Sequence, residues 1–269
     1  MKSCVQLPYQ TRVDRGLVEG TFSFVKFGEV RADNDSAFHI VWEYGSDNLG
    51  GSDIVFPADG TAPINRVSSS VDTDTGDIYV LGNDINGAWT EQTFALTGQT
   101  PKALPTALWR HLTSYNADSA TSPVIGGGFD GDIYFYNDAA PVTNGVPDNA
   151  TDVLGFFSGA NNRTLQAYFN CPSGYNAYIK SATISLDTRI AASILYKIYR
   201  RDYGGVPQII RSGSLSSNGT SVFSRVLKIG RRLNPRADLI PLIQVDTNDT
   251  SVSVEFALNI TEIGKEKYV

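Results

Sequence analysis

A strict alternation of apolar and polar residues over positions 251–261 most constrains what this 269-residue chain can fold into. The apolar residues of one parity are Val252, Val254, Phe256, Leu258 and Ile260. Because successive side chains of a β-strand point to opposite faces, this pattern predicts a half-buried antiparallel strand. Helical periodicity is nearly absent from the rest of the chain, so the sequence predicts an all-β protein.

Further strands and tight turns extend this prediction along the chain. Alternation recurs over residues 163–170 and 178–186, whereas residues 192–199 are apolar on both faces and predict a more central strand. Turn dipeptides such as Asn-Gly at 86–87 and 218–219 separate the predicted strands. Short strands joined by such turns predict an all-β sandwich or barrel, and we expect an antiparallel β-sandwich or jelly-roll-like core.

The predicted organisation has three parts. Residues 1–20 contain few core-forming positions and predict an extended N-terminal arm that lies along a neighbouring subunit. Residues 21–160 then form an N-terminal β region, and residues 161–269 form a C-terminal β-sandwich region. The two β regions can also form one continuous domain.

Long loops are predicted at three segments rich in Gly, Asp and Pro, namely residues 47–63, 118–128 and 137–149. Loops of this length in a compact protein usually serve binding or assembly. We therefore expect them to supply contacts to partner molecules.

The net charge of the chain argues against one class of function, and the charged residues are unevenly distributed along the sequence. The chain holds 22 Lys and Arg against 28 Asp and Glu, a net charge of −6, which argues against a nucleic-acid binder with a basic surface. Basic residues nevertheless gather in the second half, at Arg200, Arg201, Arg211, Arg225, Lys228, Arg231, Arg232 and Arg236. This asymmetry is typical either of copies that pack acidic against basic surfaces or of a solvated polar face.

Cysteine usage and hydropathy limit the other partners. No apolar run reaches the roughly 18–20 residues of a membrane helix, and residues 1–10 lack the apolar core of a signal peptide. We therefore expect a reducing compartment, with Cys4 and Cys171 as thiols and no membrane partner. Two cysteines so far apart do not form a disulfide framework or a zinc-ligand set.

Catalytic and metal-binding patterns are weak. His39 lies in an apolar run and His111 follows a Trp-Arg pair, so both are expected to be packed or interface histidines. Asp72, Asp74 and Asp77 are spaced like part of a calcium loop but lack its closing Glu, which leaves calcium binding open beside an ordinary Asp-rich turn. We expect no catalytic residue and no cofactor.

The tryptophans leave two alternatives open. Trp42, Trp89 and Trp109 can line a sugar-binding groove or belong to the core. A groove would favour a protein that binds a glycan. A pair of facing acids beside it would favour a polysaccharide-cleaving enzyme.

The order of several segments resembles a family of structural proteins of tailed bacteriophages, many of them aquatic. The segments are residues 18–20 (V-E-G), 25–28 (V-K-F-G), 41–45 (V-W-E-Y-G), 67–70 (V-S-S-S), 77–82 (D-I-Y-V-L-G), 91–101 (E-Q-T-F-A-L-T-G-Q-T-P) and 165–179 (L-Q-A-Y-F-N-C-P-S-G-Y-N-A-Y-I). The resemblance covers roughly residues 18–186, and the order of the segments carries it.

The resemblance implies a non-enzymatic virion component that self-associates in multiple copies and decorates or stabilises the capsid or neck. Its partners would be copies of itself and other virion proteins of the capsid, portal, neck or tail, with assembly in the host cytoplasm. The alternative is a tail, baseplate or fibre-associated protein that binds a host surface glycan. The expected interface residues are Arg12, Arg15, Leu17, Arg200, Arg201, Arg231 and Arg232.

Overall fold

The computed structural model describes residues 9–35, 37–45, 51–117, 128–187, 191–218 and 223–265. Antiparallel strands dominate these residues, which confirms the predicted all-β class. One short helix, α1 (Tyr9–Asp14), and 3-10 turns at Glu43–Gly45 and Ala150–Asp152 complete the regular structure of the described chain.

The described strands are β1 (Thr21–Ala32), β2 (His39–Ile40), β3 (Ile64–Ser69), β4 (Asp77–Asn83), β5 (Trp89–Ala95), β6 (Lys102–Leu108), β7 (Arg110–Asn116), β8 (Ile133–Tyr136), β9 (Val142–Thr143), β10 (Val146–Pro147), β11 (Val153–Phe157), β12 (Phe169–Asn170), β13 (Tyr175–Asp187), β14 (Ala192–Arg201), β15 (Gln208–Ser217), β16 (Phe223–Leu233), β17 (Asp238–Val245) and β18 (Thr250–Glu262).

Nested pairing of the first and last strands defines a jelly roll. One sheet has the order β1-β18-β13-β16, and the facing sheet has the order β12-β17-β14-β15, with β2 also paired to β17. Because β2 and β12 both pair with β17, they count as one position, and the two sheets then have eight strand positions along the chain. Position one pairs with eight, two with seven, three with six and four with five. This order is that of two Greek keys wrapped into a jelly roll, as the sequence predicted. We call these two sheets the jelly-roll unit.

The strands between β2 and β12 form a separate inserted unit, β3 to β11. Its sheets have the orders β11-β8-β3-β6 and β5-β4-β7, and β9 and β10 form a small ribbon. Ile64, Val80 and Phe157 belong to a core of its own, each at most 1% exposed.

The predicted boundary near residue 160 differs from the division in space. β1 pairs with β18 over its whole length, from Thr21 opposite Thr261 to Ala32 opposite Thr250. The jelly-roll unit is thus built from both ends of the described chain, and the inserted unit interrupts it. A boundary drawn from composition along the chain misses this, because strand pairing between distant segments leaves no local signal.

The alternation that predicted β18 is confirmed in the jelly-roll core. Val252, Val254, Phe256, Leu258 and Ile260 are each at most 1% exposed. Burial of such side chains contributes about 1.5–3 kcal/mol each, so this strand is a main source of the fold's stability. Cys171 is a free thiol in the same core, and burial raises its pKa to about 12.

The N-terminal segment folds back onto its own subunit. Helix α1 packs on the outer face of the β1–β18 sheet, where Val13 is 2% exposed. Gln10 accepts a 2.9 Å hydrogen bond from Asn259 Nδ2 and donates one of 3.2 Å to Ser23. The predicted extended arm is therefore wrong for residues 9–20, and residues 1–8 lie outside the described chain. An amphipathic single turn is too short to give a helical period, so the sequence offered no signal for it.

Two of the predicted long loops lie wholly or partly in the described chain. Residues 51–63 run without regular structure to the junction of the two units, and their Ile54 is buried. Residues 137–149 carry the β9–β10 ribbon. The predicted loop at 118–128 lies outside the described residues except for Gly128. No helix in the described ranges is long and apolar enough to cross a membrane.

Candidate functional site

A buried carboxylate, Asp238 at the start of β17, is the centre of the contact between the two units. Its side chain is fully buried, and its Oδ1 accepts hydrogen bonds of 2.6 Å from Tyr168 Oη and from Asn170 Nδ2. Arg201 Nε donates a 2.8 Å hydrogen bond to the other oxygen. A buried charge requires such partners, because an unpaired one would cost several kcal/mol.

Arg110 brings the inserted unit into this network. It lies on β7, is 1% exposed, and places its Nε and Nη2 atoms 3.4 Å from the two carboxylate oxygens of Asp238. Its Nη1 donates a 2.8 Å hydrogen bond to the carbonyl of Pro57. The ion pair therefore joins a strand of one unit to a strand of the other.

Asp59, in the irregular segment 51–63, balances the second arginine. Its Oδ1 lies 2.8 Å from Arg201 Nη2 and 3.6 Å from Arg110 Nη2, and its Oδ2 accepts a 2.7 Å bond from the Gly204 amide. Two arginines and two carboxylates thus neutralise one another at the junction. We call the residues Asp59, Arg110, Arg201 and Asp238 the charged junction.

The position of Arg201 differs from its predicted role as a contact between copies. It lies opposite Asp238 in the β14–β17 register, and its side chain is 18% exposed. Its charge is therefore used within the chain. The sequence could not show this, because Arg201 and Asp238 become neighbours only through strand pairing.

Stacked cations and aromatic rings surround the charged junction. The Arg236 guanidinium lies 3.5 Å from the Tyr203 ring centroid and 4.9 Å from that of Trp109. The Arg110 guanidinium lies 4.1 Å from the centroid of the Trp109 ring. Because Tyr203 and Arg236 belong to the jelly-roll unit and Trp109 to the inserted unit, these contacts hold the two units in one orientation.

A second buried polar cluster lies where β1 meets β7. Lys26 is 4% exposed, its ammonium contacts the carbonyl of Leu112, and burial lowers its pKa to about 7. His111 is 2% exposed, and burial together with the nearby charge of Lys26 lowers its pKa to about 3. The imidazole is thus neutral at physiological pH, and the expectation of a packed histidine is confirmed.

The surroundings of His111 do not form a catalytic triad. Its Nε2 lies 3.1 Å from Ser114 Oγ, which in turn lies 2.8 Å from Thr164 Oγ1. His111 Nδ1 has no hydrogen-bond partner, so no carboxylate orients the ring, and Ser114 is fully buried from any substrate. This arrangement stabilises the interior of the protein.

The pocket beside this cluster is small and apolar. Phe56, Trp109 and Tyr168 are among its lining residues, and its empty volume is about 190 Å³. Pockets that bind small molecules measure about 300–1,000 Å³, so this one is too small for a drug-sized ligand.

The tryptophans do not line a groove. Trp42 and Trp109 are at most 1% exposed, and Trp89 packs against Phe22 and Phe24 with ring centroids 5.7 and 5.4 Å apart. The expectation of a tryptophan-lined sugar groove is therefore wrong, and these rings belong to the core and the junction. Their surroundings form through non-local packing, which the sequence pattern does not show.

Asp74 anchors a turn. It is 5% exposed and accepts 2.9 Å hydrogen bonds from the amides of Asp130 and Gly131, as well as a 2.5 Å bond from Ser69 Oγ. Asp72 and Asp77 are exposed at the surface. In the described ranges, no group of three or more His, Cys, Asp or Glu side chains is arranged to hold a metal ion.

Replacing Asp74 by alanine should lower the free energy of unfolding by about 2–3 kcal/mol, because the buried Gly131 amide and the part-buried Asp130 amide lose a charged acceptor. Urea unfolding would measure this, with the exposed Asp72→Ala as a control expected to change stability by less than about 0.5 kcal/mol. Added calcium should leave the melting temperature of the wild type unchanged. A calcium-dependent rise that Asp74→Ala abolishes would show instead that the segment binds metal.

One sheet edge of the inserted unit, between β5 and β6, is sealed by a side chain. Gln92 on β5 acts like a peptide group toward β6, since its Nε2 donates a 2.9 Å bond to the Thr106 carbonyl and its Oε1 accepts a 3.0 Å bond from the Thr106 amide. Pro105 on β6 further blocks strand addition. Such features protect edges from pairing with other chains.

The jelly-roll unit has two open edges. β15 ends one sheet and β16 ends the other, and among the described strands each pairs with one neighbour only. At the opposite end of the sheets, β1 lies against the chain at Ala167, which is close enough that a side chain at Gly28 would collide with it. We call β15 and β16 the open edges.

Most of the other predicted interface residues lie on the surface. Arg231 and Arg232 are exposed near the end of β16, and Arg200 reaches the Arg232 carbonyl at 3.3 Å while pairing with Asp202 at 2.5 Å. The structure therefore brings Arg200 and Arg232 together at an open edge. In the N-terminal segment, Arg12 is partly exposed, and Arg15 and Leu17 are exposed beyond α1.

No protein-family model matches the chain, and a search of curated proteins finds no match. Among solved structures, the chain is similar to one of the infectious bursal disease virus Gt strain, at a TM-score of 0.25 and 11% identity, covering 97% of this chain and 79% of that chain. A VP2 subviral particle of infectious bursal disease virus gives a TM-score of 0.21 at 11% identity, covering 93% and 74%. TM-scores this low carry no argument, so the jelly-roll assignment rests on the strand order of this chain alone.

Proposed function

We propose that the protein is a non-enzymatic structural component of a tailed-phage virion, that it self-associates in multiple copies, and that it decorates or stabilises the capsid or neck. The observation that carries the proposal is the pair of open edges of the jelly-roll unit, in a protein whose inserted unit seals its β5–β6 edge. Jelly rolls occur in viral capsid proteins and also in lectins and cupins, so the fold alone does not assign this function.

The rigid connection between the two units supports a structural role. Arg110 and Asp238 form an ion pair across the contact with both side chains at most 1% exposed. Such pairs serve orientation more than net stability. A fixed orientation lets the jelly-roll unit bind neighbouring subunits while the inserted unit projects at a defined angle.

Surface charge supports contacts between copies. Lys228, Arg231 and Arg232 are exposed on the β16 edge, whereas Asp77 and Glu91 are exposed on the inserted unit. Opposite charges on separate surfaces of one protein favour head-to-tail packing of copies. These exposed basic and acidic side chains are groups that can make the predicted contacts between copies.

Immunogold electron microscopy of purified virus particles would test the proposal. Virus particles in which this chain carries a C-terminal peptide tag should show many labels on the capsid or neck. Label confined to fibre tips would instead favour the glycan-binding alternative. Unlabelled particles from a lysate in which the tagged chain is abundant would overturn the proposal.

A further inference from the structure

We infer that β15 pairs antiparallel with β15 of a second copy of this chain, so that one continuous sheet crosses a two-fold axis. The inference rests on the proposed function, since it names the surface through which copies associate. A strand edge is a ready template for such pairing because its outer amides and carbonyls lack partners.

The β15 edge lacks the features that usually block strand addition. Over Gln208–Ser217 the strand contains no proline, no lysine and one charged residue, Arg211. Most of its residues are exposed, although β14 pairs with it along Ala192–Arg200. The sealed β5–β6 edge of the same protein shows that the fold protects other edges, so the exposure of β15 stands out as a contact left available.

The sequence of β15 is compatible with a two-fold axis at Gly213. This pairing places Ser212 opposite Ser214 of the second copy, and Arg211 opposite Leu215 of the second copy. The small side chains near the axis allow close approach of the two backbones. At Gly213 itself a Cβ would lie 2.5 Å from Tyr196 Oη, so a larger residue would require the tip of that tyrosine to shift.

Charge is also compatible with this register. The two Arg211 residues would lie about 14 Å apart along the strands, beyond the Debye length of ~10 Å, so they would not repel strongly. Across the axis, each Arg211 would lie opposite the apolar Leu215 of the second copy, whose own β14 partner is Ile194, so no cation faces Arg211 in this register.

Sedimentation equilibrium of the full chain with a charge at the edge tests the inference. Ser214→Lys adds a cation at an exposed position next to the axis, and the matched control Thr93→Lys adds the same charge on the sealed β5 edge. We expect the wild type and Thr93→Lys to self-associate, and Ser214→Lys to weaken association at least tenfold. Circular dichroism should show all three equally folded.

Two outcomes would overturn the inference, and they separate it from the proposed function. If the wild type and Ser214→Lys self-associate equally strongly, copies associate through another surface, and only the assignment of the β15 edge fails. A wild type that is monomeric at all concentrations would overturn the inference, and its absence from particles would also overturn the proposed function.

Disulfide trapping tests the register directly. In a Cys4→Ser background, the double variant Ser212→Cys/Ser214→Cys should form a disulfide-linked dimer on oxidation, because residues 212 and 214 face each other across the axis. Ser212→Cys alone should remain monomeric on a non-reducing gel, since its thiol faces Ser214. Equal cross-linking of both variants would contradict the Gly213 register.

Discussion

Replacing Asp238 by alanine should lower the free energy of unfolding by about 3–5 kcal/mol, since removal of one partner leaves a buried charge uncompensated. Arg110 is 1% exposed and would lose its closest carboxylate. Tyr168 and Asn170 would each lose a 2.6 Å hydrogen bond to the same oxygen. Urea unfolding followed by intrinsic tryptophan fluorescence would measure the loss, and Trp109 beside Arg110 would report on the junction itself.

The control for this prediction is Asp202→Ala, which removes a carboxylate from a surface pair. Asp202 binds Arg200 and its side chain is 44% exposed, so its loss should cost about 0–1 kcal/mol. If Asp238→Ala and Asp202→Ala were equally mild, the charged junction would not hold the two units together. A separate early transition for one unit in Asp238→Ala would show that the units lose their connection before either unfolds.

Replacing Lys26 by methionine should stabilise the protein at pH 7 and lose that effect as the pH rises toward 10. Burial lowers the pKa of Lys26 from 10.5 to about 7 in the folded chain. Between these two values the unfolded chain binds a proton that the folded chain has released, so stability rises with pH across this window. Below about pH 7 both states hold the proton, and the full cost of burying the ammonium remains.

The expected gain from Lys26→Met at pH 7 is on the order of 2–4 kcal/mol, typical of apolar replacements of buried charged groups. Part of the gain is offset because the Leu112 carbonyl loses the Lys26 contact. Thermal unfolding from pH 7 to 10 would measure the difference, with the exposed Lys228→Met as a control that should show no pH trend. A Lys26→Met difference that stays constant over this range would contradict the lowered pKa.

Local patterns predicted the strands, because strand periodicity is written in adjacent residues. Alternation located β18, and a run apolar on both faces located β14 between two neighbours in its sheet. The turn dipeptide at residues 86–87 joins β4 to β5. These strands and turns predicted an all-β sandwich or barrel, and the strand order identifies the sandwich as a jelly roll.

The features that the sequence could not show depend on pairing between distant segments of the chain. The match of β1 with β18 joins residues separated by more than two hundred positions, and no local pattern carries that information. Arginine is usually a surface residue, yet the strand register places Arg201 opposite Asp238. The sequence did not indicate the role of Arg110, because a buried ion pair leaves no periodic pattern of residues. Only the knowledge that the strand end with Arg110 lies beside the strand end with Asp238 could have indicated it.

The two units have different roles in the proposed function. The charged junction fixes their orientation within one copy, while the open edges leave the jelly-roll unit available to other copies. The capped β5–β6 edge of the inserted unit is protected from strand addition, so under this proposal copies associate through the jelly-roll unit.

The copy number of this chain in purified virus particles tests the central claim most directly. Quantitative mass spectrometry with isotope-labelled peptides would compare the chain with the major capsid protein through successive density gradients. We predict many copies per particle, in a ratio that stays constant as purification proceeds. Fewer than one copy per particle, from a lysate in which the chain is abundant, would contradict a structural role in the virion.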